Sequence, residues 1–345
     1  MVKVSVLLPA YNHEAYIERT VSSILSQQEQ SLELIAVDDG STDATGRLLD
    51  KMAEFEPRLK VVHKQNGGVA AALNDAMDRA TGEWIATCGS DDMVPANAYS
   101  DLLRMRHNAD VLIGEFTEIE DSGRQTRVRL GARIGKSGFE ALFAMPATWN
   151  KLIRRELLVQ NGIRFPDVTI CEDLIFLAQV AACSPRCAFT PKSVYLYRNN
   201  PDGASMTHNY SAALFAAHVR GRERVLDICE EAGIAEGYAY VYRDSLDYLA
   251  QFIQKLDVSE MDRALEALKR LLCRGESRLD EERIERLFFL SADELMRIDA
   301  VAYDLLLRRM PPEQRVLNRL ASGEIGLRFV LRCAASWLHG KKRQR

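Results

Sequence analysis

The feature that most constrains this chain is a fourfold alternation in its first hundred residues. Short apolar runs, too unbroken to have a wet face, are each followed by a polar turn and then by helical spacing. Val4–Leu8 is a continuous apolar run, the pattern of a strand buried on both faces. Val21, Ile24 and Leu25 then recur at helical spacing, and Leu32–Val37 reads as a second strand. Leu48, Leu49, Met52 and Phe55 mark the next helix, and Leu59–His63 a third strand. Ala72, Leu73 and Ala76 mark another helix before a fourth strand, Trp84–Cys88. This βαβαβαβ order predicts an α/β fold: a mostly parallel central sheet with helices on both faces. In open sheets of that kind, ligands bind beyond the carboxyl ends of the strands. The segments "PAYN", "DDGSTD", "KQNGG" and "CGSDD" all stand at such ends, so they are expected to gather at one crevice.

From residue 110 the pattern becomes mixed. Val111–Ile119 and Thr126–Leu130 read as strands around the turn "EDSGRQ", Glu172–Ala182 as a helix and Val194–Arg198 as a short strand. Beyond about residue 211 the spacing is almost wholly helical: Ala212–Glu231, Tyr238–Lys255, Met261–Leu272 and Asp280–Leu290, with a break at Pro311–Pro312. The expected organisation is one domain over residues 1–210 and an all-α extension over 211–345.

Composition bounds the function. The 345 residues are 47% hydrophobic and 27% charged, so a packed core is expected. A net charge of −4 gives no general reason to expect nucleic-acid binding. Seven scattered cysteines, odd in number, argue for a reducing compartment and against a disulfide framework. Cys183 and Cys187 lack a second Cys/His pair nearby and read as thiols, not zinc ligands. The N-terminal "MVKVSVLLPAYN" reads as a first strand and not a signal peptide. No run of about 18 apolar residues occurs, so no membrane span is expected and the cytoplasm is the expected location.

Three acidic groups stand where chemistry is expected. Asp38 and Asp39 end the second strand, where carboxylates can accept hydrogen bonds from a base imide or ribose hydroxyls. Helix capping accounts for Ser41–Asp43 but not for these two. Asp91 and Asp92 offer hard oxygen donors suited to Mg²⁺ or Mn²⁺, and a cation with open positions could hold a diphosphate. Glu172 and Asp173 open an apolar helix, where they suit its dipole or supply a general base. "GARIGKSG" is one residue short of a phosphate-binding P-loop and does not follow a buried parallel strand. There is no G-x-G-x-x-G after the first strand, no G-x-S-x-G and no H-E-x-x-H.

Taken together, "VSVLLPAYNHEAYIERTVSSILSQ", "LELIAVDDGSTDATGRLL", "NGGVAAALNDAMDRATGEWIATCGSDD", "WNKLIRRELL", "ICEDLIF" and "YLYRNN" resemble the family 2 glycosyltransferases. The resemblance runs to about residue 210, in the family's motif order, and implies the GT-A nucleotide-diphospho-sugar transferase fold. It implies a UDP-sugar site bordered by Pro9, Ala10 and Tyr11, with Tyr11 against the uracil. Asp39 would bond the uracil edge with Asp38 alongside, and Asn66 and Gly68 would line the nucleotide crevice. Asp91 would support the ribose or the cation, and Asp92 would contact a Mn²⁺ or Mg²⁺ directly. Asp173 matches the catalytic base of inverting members; Glu172, Trp149, Asn150 and Lys151 match the donor-sugar and acceptor region.

The implied reaction is transfer of one sugar to a hydroxyl of a saccharide or lipid-linked saccharide in surface-polysaccharide biosynthesis. Membrane spans and a Q-x-x-R-W motif, which mark processive synthases, are absent from the sequence. Two positions depart from the family. Gly89 stands where Asp is common, and Leu73 where Arg is common. They leave open a second reading, a non-catalytic nucleotide-sugar-binding scaffold. A nucleotidyltransferase is a third, but "PAYNHEAY" lacks the glycine- and basic-rich loop it needs. Gly326–Arg345 has no acidic residue and ends in "KKRQR", which suits either an amphipathic helix on an anionic membrane or a packing helix with a solvated basic end.

Overall fold

Four of the apolar runs become adjacent parallel strands. The computed structural model describes residues 2–120, 122–131, 138–199 and 210–241, and separate residues beyond these as far as 274. Strands β1 (Val4–Ala10), β2 (Leu32–Asp38), β3 (Leu59–His63) and β4 (Trp84–Thr87) alternate with helices α1 (Ile17–Leu25), α2 (Thr45–Ala53) and α3 (Val69–Arg79). The later elements are α4 (Ala98–Leu103), β5 (Val111–Ile119), β6 (Gln125–Val128), α5 (Gly138–Phe143) and β7 (Lys151–Arg154). They are followed by α6 (Arg155–Gln160), α7 (Glu172–Ala182), β8 (Cys187–Arg198), α8 (Ala212–Glu231) and α9 (Glu236–Ala239).

One sheet runs β3-β2-β1-β4-β7-β5-β6, with β8 paired to β5. The first four strands are parallel. β7 is antiparallel to β4 and to β5, β6 is antiparallel to β5, and β8 is parallel to β5. The parallel half therefore matches the sequence expectation, and the other half supplies the mixed pattern expected after residue 110. β1 and β2 are buried along almost their whole length, which is why they read as unbroken apolar runs. Val6, Leu8, Ile17, Val21, Ile24, Leu34 and Trp84 lie in that core with no exposed surface.

Two strand boundaries differ from expectation. β8 begins at Cys187, seven residues before the expected Val194, because Pro191 and a register shift opposite Gly114 and Glu115 interrupt its alternation. β6 stops at Val128 and is mostly exposed, so its apolar content was a poor guide. The expected helix over Ala212–Glu231 is α8.

The chain divides into two compact units, Met1–His208 with Arg224–Gly237, and Asn209–Glu223 with Tyr238–Arg345. Within the second, Arg222 Nε donates to Ser245 Oγ at 2.6 Å, and the Tyr248 hydroxyl lies 3.1 Å from His218 Nε2. The expected helix Asp280–Leu290, the Pro311–Pro312 break and the basic segment Gly326–Arg345 lie outside the described residues. Among the described residues, no helix is long and apolar enough to cross a membrane.

Candidate active site

The carboxyl ends of β1, β2, β3 and β4 are joined by one continuous set of hydrogen bonds. The loop after β1 is stitched to the loop after β2. Asn12, at φ 54°, accepts the Thr42 amide on Oδ1 at 2.8 Å, and its own amide donates to Ser41 Oγ at 3.0 Å. The His13 amide donates to Thr45 Oγ1 at 2.8 Å, and the Ala44 amide to Glu14 Oε2 at 2.8 Å. The same loop reaches the β4 end, where His13 Nδ1 lies 2.5 Å from Ser90 Oγ. Tyr11 projects from it with 46% of its surface exposed, free to meet a planar ring.

Asp39 ties β2 to the loop after β3. Its Oδ1 accepts the Gly67 amide at 2.9 Å and Lys64 Nζ at 3.2 Å, and its Oδ2 accepts the Gly68 amide at 2.7 Å. Gly68 adopts φ 86°, a conformation that lets the two successive amides point at one carboxylate. A carboxylate has about four lone-pair sites, so one is left on Oδ2 for a further donor such as a base imide. Asp38 is also committed: Oδ1 accepts the Ser41 amide at 3.1 Å, and Oδ2 lies 2.9 Å from His63 Nδ1. Asn66 is exposed beside them.

The two members of the "DD" pair do different jobs. Asp92 is 5% exposed. Its Oδ2 accepts the Tyr195 hydroxyl at 2.6 Å and its Oδ1 accepts the Arg198 amide at 2.6 Å. Tyr195 in turn accepts the Gly89 amide at 2.9 Å, and Arg198 Nε donates to the Asp91 carbonyl at 3.0 Å. Asp92 thus fastens the β4 end to β8. The Asp91 side chain is half-buried and accepts no hydrogen bond among the described residues. Asp92, the residue expected to contact a cation directly, is thus held by two protein donors, while Asp91 beside it accepts none among the described residues.

The same region explains Gly89. A Cβ there would sit 2.8 Å from Asp92 Oδ2 and 3.2 Å from Asp91 Oδ1. The glycine gives Asp92 room to turn inward.

α7 carries the other carboxylates. Cys171, at φ 72°, turns the chain into the helix, so Glu172 and Asp173 occupy its first turn. Thr148 holds Asp173 through its hydroxyl, 2.9 Å from Oδ1, and its amide, 3.3 Å from Oδ2. Burial pushes the Asp173 carboxyl above its ordinary range, against the Thr148 hydrogen bonds and the Lys151 charge. Glu172 is also pushed up, by burial and then by the Asp173 charge, and its Oε2 is buried with no hydrogen-bond partner. A carboxyl so placed can hold a proton near neutrality.

Of the "WNK" residues expected at the donor and acceptor region, only Trp149 is partly open. It stacks on Tyr195 at 4.4 Å and Tyr197 at 5.7 Å between ring centres. Asn150 is fully buried, and its Nδ2 donates to the Gly114 carbonyl at 2.7 Å. Lys151 is 1% exposed; its ammonium donates to Met145 O at 2.7 Å, Ala147 O at 2.7 Å and Asn150 Oδ1 at 2.8 Å. Those two residues are buried and bonded within the protein, where they shape the loop.

Sequence reasoning missed Tyr195, Arg198, Thr148 and Ser90. Each is a common polar residue whose role depends on a contact across the fold. The prior signals were that "YLYRNN", with Tyr195 and Arg198, and "CGSDD", with Ser90, stood among the resembling stretches.

A divalent cation is implied by the resemblance, and the donor chemistry fits one. Asp91 supplies a hard oxygen at the strand-end rim, although no group of three or more His, Cys, Asp or Glu side chains gathers there among the described residues. That matches a cation held by one or two carboxylates and completed by water and phosphate oxygens.

Comparison with known proteins agrees with this architecture. The model for "Glycosyl transferase family 2" matches residues 5–171. The glycosyltransferase GlyG of Streptococcus pneumoniae serotype 4 is 30% identical over 255 residues, 67% of this chain and 82% of that protein. The succinoglycan biosynthesis protein ExoO of Rhizobium meliloti is 29% identical over 271 residues, 73% of this chain and 71% of that protein. Against two further curated glycosyltransferases the chain spans 37% and 64% of their lengths. Among solved structures, S. aureus TarS 1-349 in complex with UDP has a TM-score of 0.66 at 20% identity, covering 87% of this chain and 90% of that one. That likeness shows the fold.

Proposed function

Because the chain belongs to glycosyl transferase family 2, we propose that it transfers a single sugar from a UDP-sugar, with inversion, to a hydroxyl of a saccharide or lipid-linked saccharide. The observation that carries this is the pairing of two carboxylates by one strand end. Asp91 lies just beyond β4, and Asp173 is bonded through Thr148 to Thr87, the last residue of β4.

In this reading Tyr11 borders the uracil, and the remaining lone pair of Asp39 accepts a hydrogen bond from its imide N–H. Asp38, Pro9, Ala10, Asn66 and Gly68 complete the nucleotide crevice. Asp91, backed by Asp92, would hold a Mn²⁺ or Mg²⁺ beside the diphosphate. Such a cation offsets the negative charge that grows on the leaving group. Asp173 accepts the proton of the acceptor hydroxyl as its oxygen attacks the anomeric carbon opposite the UDP. The sugar–phosphate bond breaks in the same displacement, so configuration inverts once and no glycosyl-enzyme forms. Glu172 and Trp149 border the sugars.

The similarity to ExoO, a succinoglycan biosynthesis protein, supports a place in surface-polysaccharide assembly. The basic, apolar-interleaved sequence of Gly326–Arg345 supports contact with an anionic membrane surface. Flotation with anionic liposomes, before and after deletion of that segment, checks the membrane contact. A screen of UDP-sugars with Mn²⁺ or Mg²⁺, scored by thermal shift and slow donor hydrolysis, tests the donor assignment. Binding of UDP with no metal dependence and no hydrolysis of any donor would support a scaffold instead.

A further inference from the structure

Among the described residues no direct ion pair fixes the Asp173 carboxylate, and a single neutral residue grips both of its oxygens. The Thr148 hydroxyl donates to Oδ1 at 2.9 Å and the Thr148 amide to Oδ2 at 3.3 Å. A hydroxyl carries one proton. With that proton on Asp173, the 2.8 Å contact between Thr148 Oγ1 and Thr87 Oγ1 has only one consistent direction, Thr87 donating. The chain Thr87→Thr148→Asp173 is therefore ordered from β4 outward.

Neither hydroxyl has room to turn away. Thr87 is 8% and Thr148 4% exposed. The loop that carries Thr148 is itself locked, because the Lys151 ammonium gathers the carbonyls of Met145 and Ala147 and the side chain of Asn150. Asn150 then bonds the Gly114 carbonyl of β5. The buried Lys151 amine, whose pKa burial lowers to about 7, is thus spent on holding this loop in place.

We infer that Thr148 is the positioning residue for Asp173, and that Thr87 sets the direction of the Thr148 hydroxyl. This rests on the assignment of Asp173 as the base. Held at both oxygens, the carboxylate keeps one orientation in which to receive the acceptor's proton.

Among the described residues, Lys151 of β7 favours the ionised form of Asp173, the Asp173 charge raises the pKa of Glu172 on the same helix, and Cys187 of β8 acts on Lys151. Loss of the Thr148 hydroxyl removes a bond to the charged form, so the Asp173 carboxyl should hold its proton to higher pH.

The test is a pH titration of the Asp173 side-chain carbon in full-length protein labelled at aspartate carboxyls, with D173N identifying the signal. T148V should titrate about one pH unit higher than the wild type, since a hydrogen bond to a charged group is lost. T148S should titrate with the wild type, and T87V should move the same way as T148V by a smaller amount. If T148V does not fold, T87V and T148S still decide the matter. A T148V or T87V titration that superimposes on the wild type overturns the inference. The base assignment fails separately, if D173N turns over UDP-sugars as the wild type does.

Discussion

The Tyr195 hydroxyl donates to Asp92 Oδ2 at 2.6 Å, joining two residues 103 positions apart. That bond engages Asp92 with the protein, while the Asp91 side chain accepts no hydrogen bond among the described residues. D91N should keep its unfolding free energy within about 0.5 kcal/mol of the wild type, as expected of a side chain with no internal partner. It should lose the Mn²⁺-dependent part of UDP binding. Y195F should instead lose about 1–3 kcal/mol of stability, because a buried carboxylate oxygen is left unsatisfied. Calorimetry with and without Mn²⁺, together with urea unfolding, separates the two. Metal-dependent UDP binding that survives in D91N would contradict the division of labour.

Gly89 stands beside Asp91 and Asp92, where a third carboxylate would add a hard oxygen donor for a cation. The geometry opposes this, because its Cβ would lie 2.8 Å from Asp92 Oδ2. G89A should cost about 1–3 kcal/mol, the usual range for overpacking, and weaken UDP binding with Mn²⁺. G89D should do at least as much damage. Tighter Mn²⁺ binding by G89D at unchanged melting temperature would show that the pocket can open to accept the carboxylate.

At the opposite end of the sheet, Glu33 makes stability depend on acid. Its Oε1 accepts Ser5 Oγ at 2.6 Å and the Thr81 amide at 2.7 Å, and its Oε2 accepts Lys60 Nζ at 2.5 Å. Burial acts to raise its pKa, but the bonds from Lys60, Ser5 and Thr81 outweigh burial and hold it at about 2 against an ordinary 4.5. The folded pKa is depressed, so this stabilisation is present above 4.5 and is lost as pH falls toward 2. E33Q should be less stable at pH 7 by on the order of 2 kcal/mol and should flatten the decline between pH 4.5 and 2. Thermal unfolding across that window is the measurement. A wild-type curve that does not fall there would remove Glu33 from the account.

The parallel half of the sheet was legible because burial on both faces leaves unbroken apolar runs such as Val4–Leu8 and Leu32–Val37. Their order also indicated where the candidate site would gather, since a parallel α/β sheet puts every strand's carboxyl end on one side. The length of β8 was not legible. Its partner β5 is a distant segment, and its bulge and Pro191 break the alternation that sequence reasoning relies on. The acidic pairs could be found but not oriented. Nothing in "DD" says which carboxylate faces inward, because the choice is made by Tyr195 and Arg198 from β8. Likewise "WNK" looked like a ligand-facing segment, yet Asn150 and Lys151 serve the loop that carries Thr148.

The central claim is that Asp173 is the base of a UDP-sugar transferase whose nucleotide site lies at the ends of β1 to β4. Turnover of a panel of UDP-sugars by the wild type and D173N, each in Mn²⁺ and with UDP affinity measured in parallel, tests it directly. The expected result is a loss of turnover in D173N of roughly a hundredfold or more, the scale of general-base catalysis, with UDP affinity retained. Wild-type turnover by D173N would contradict the claim.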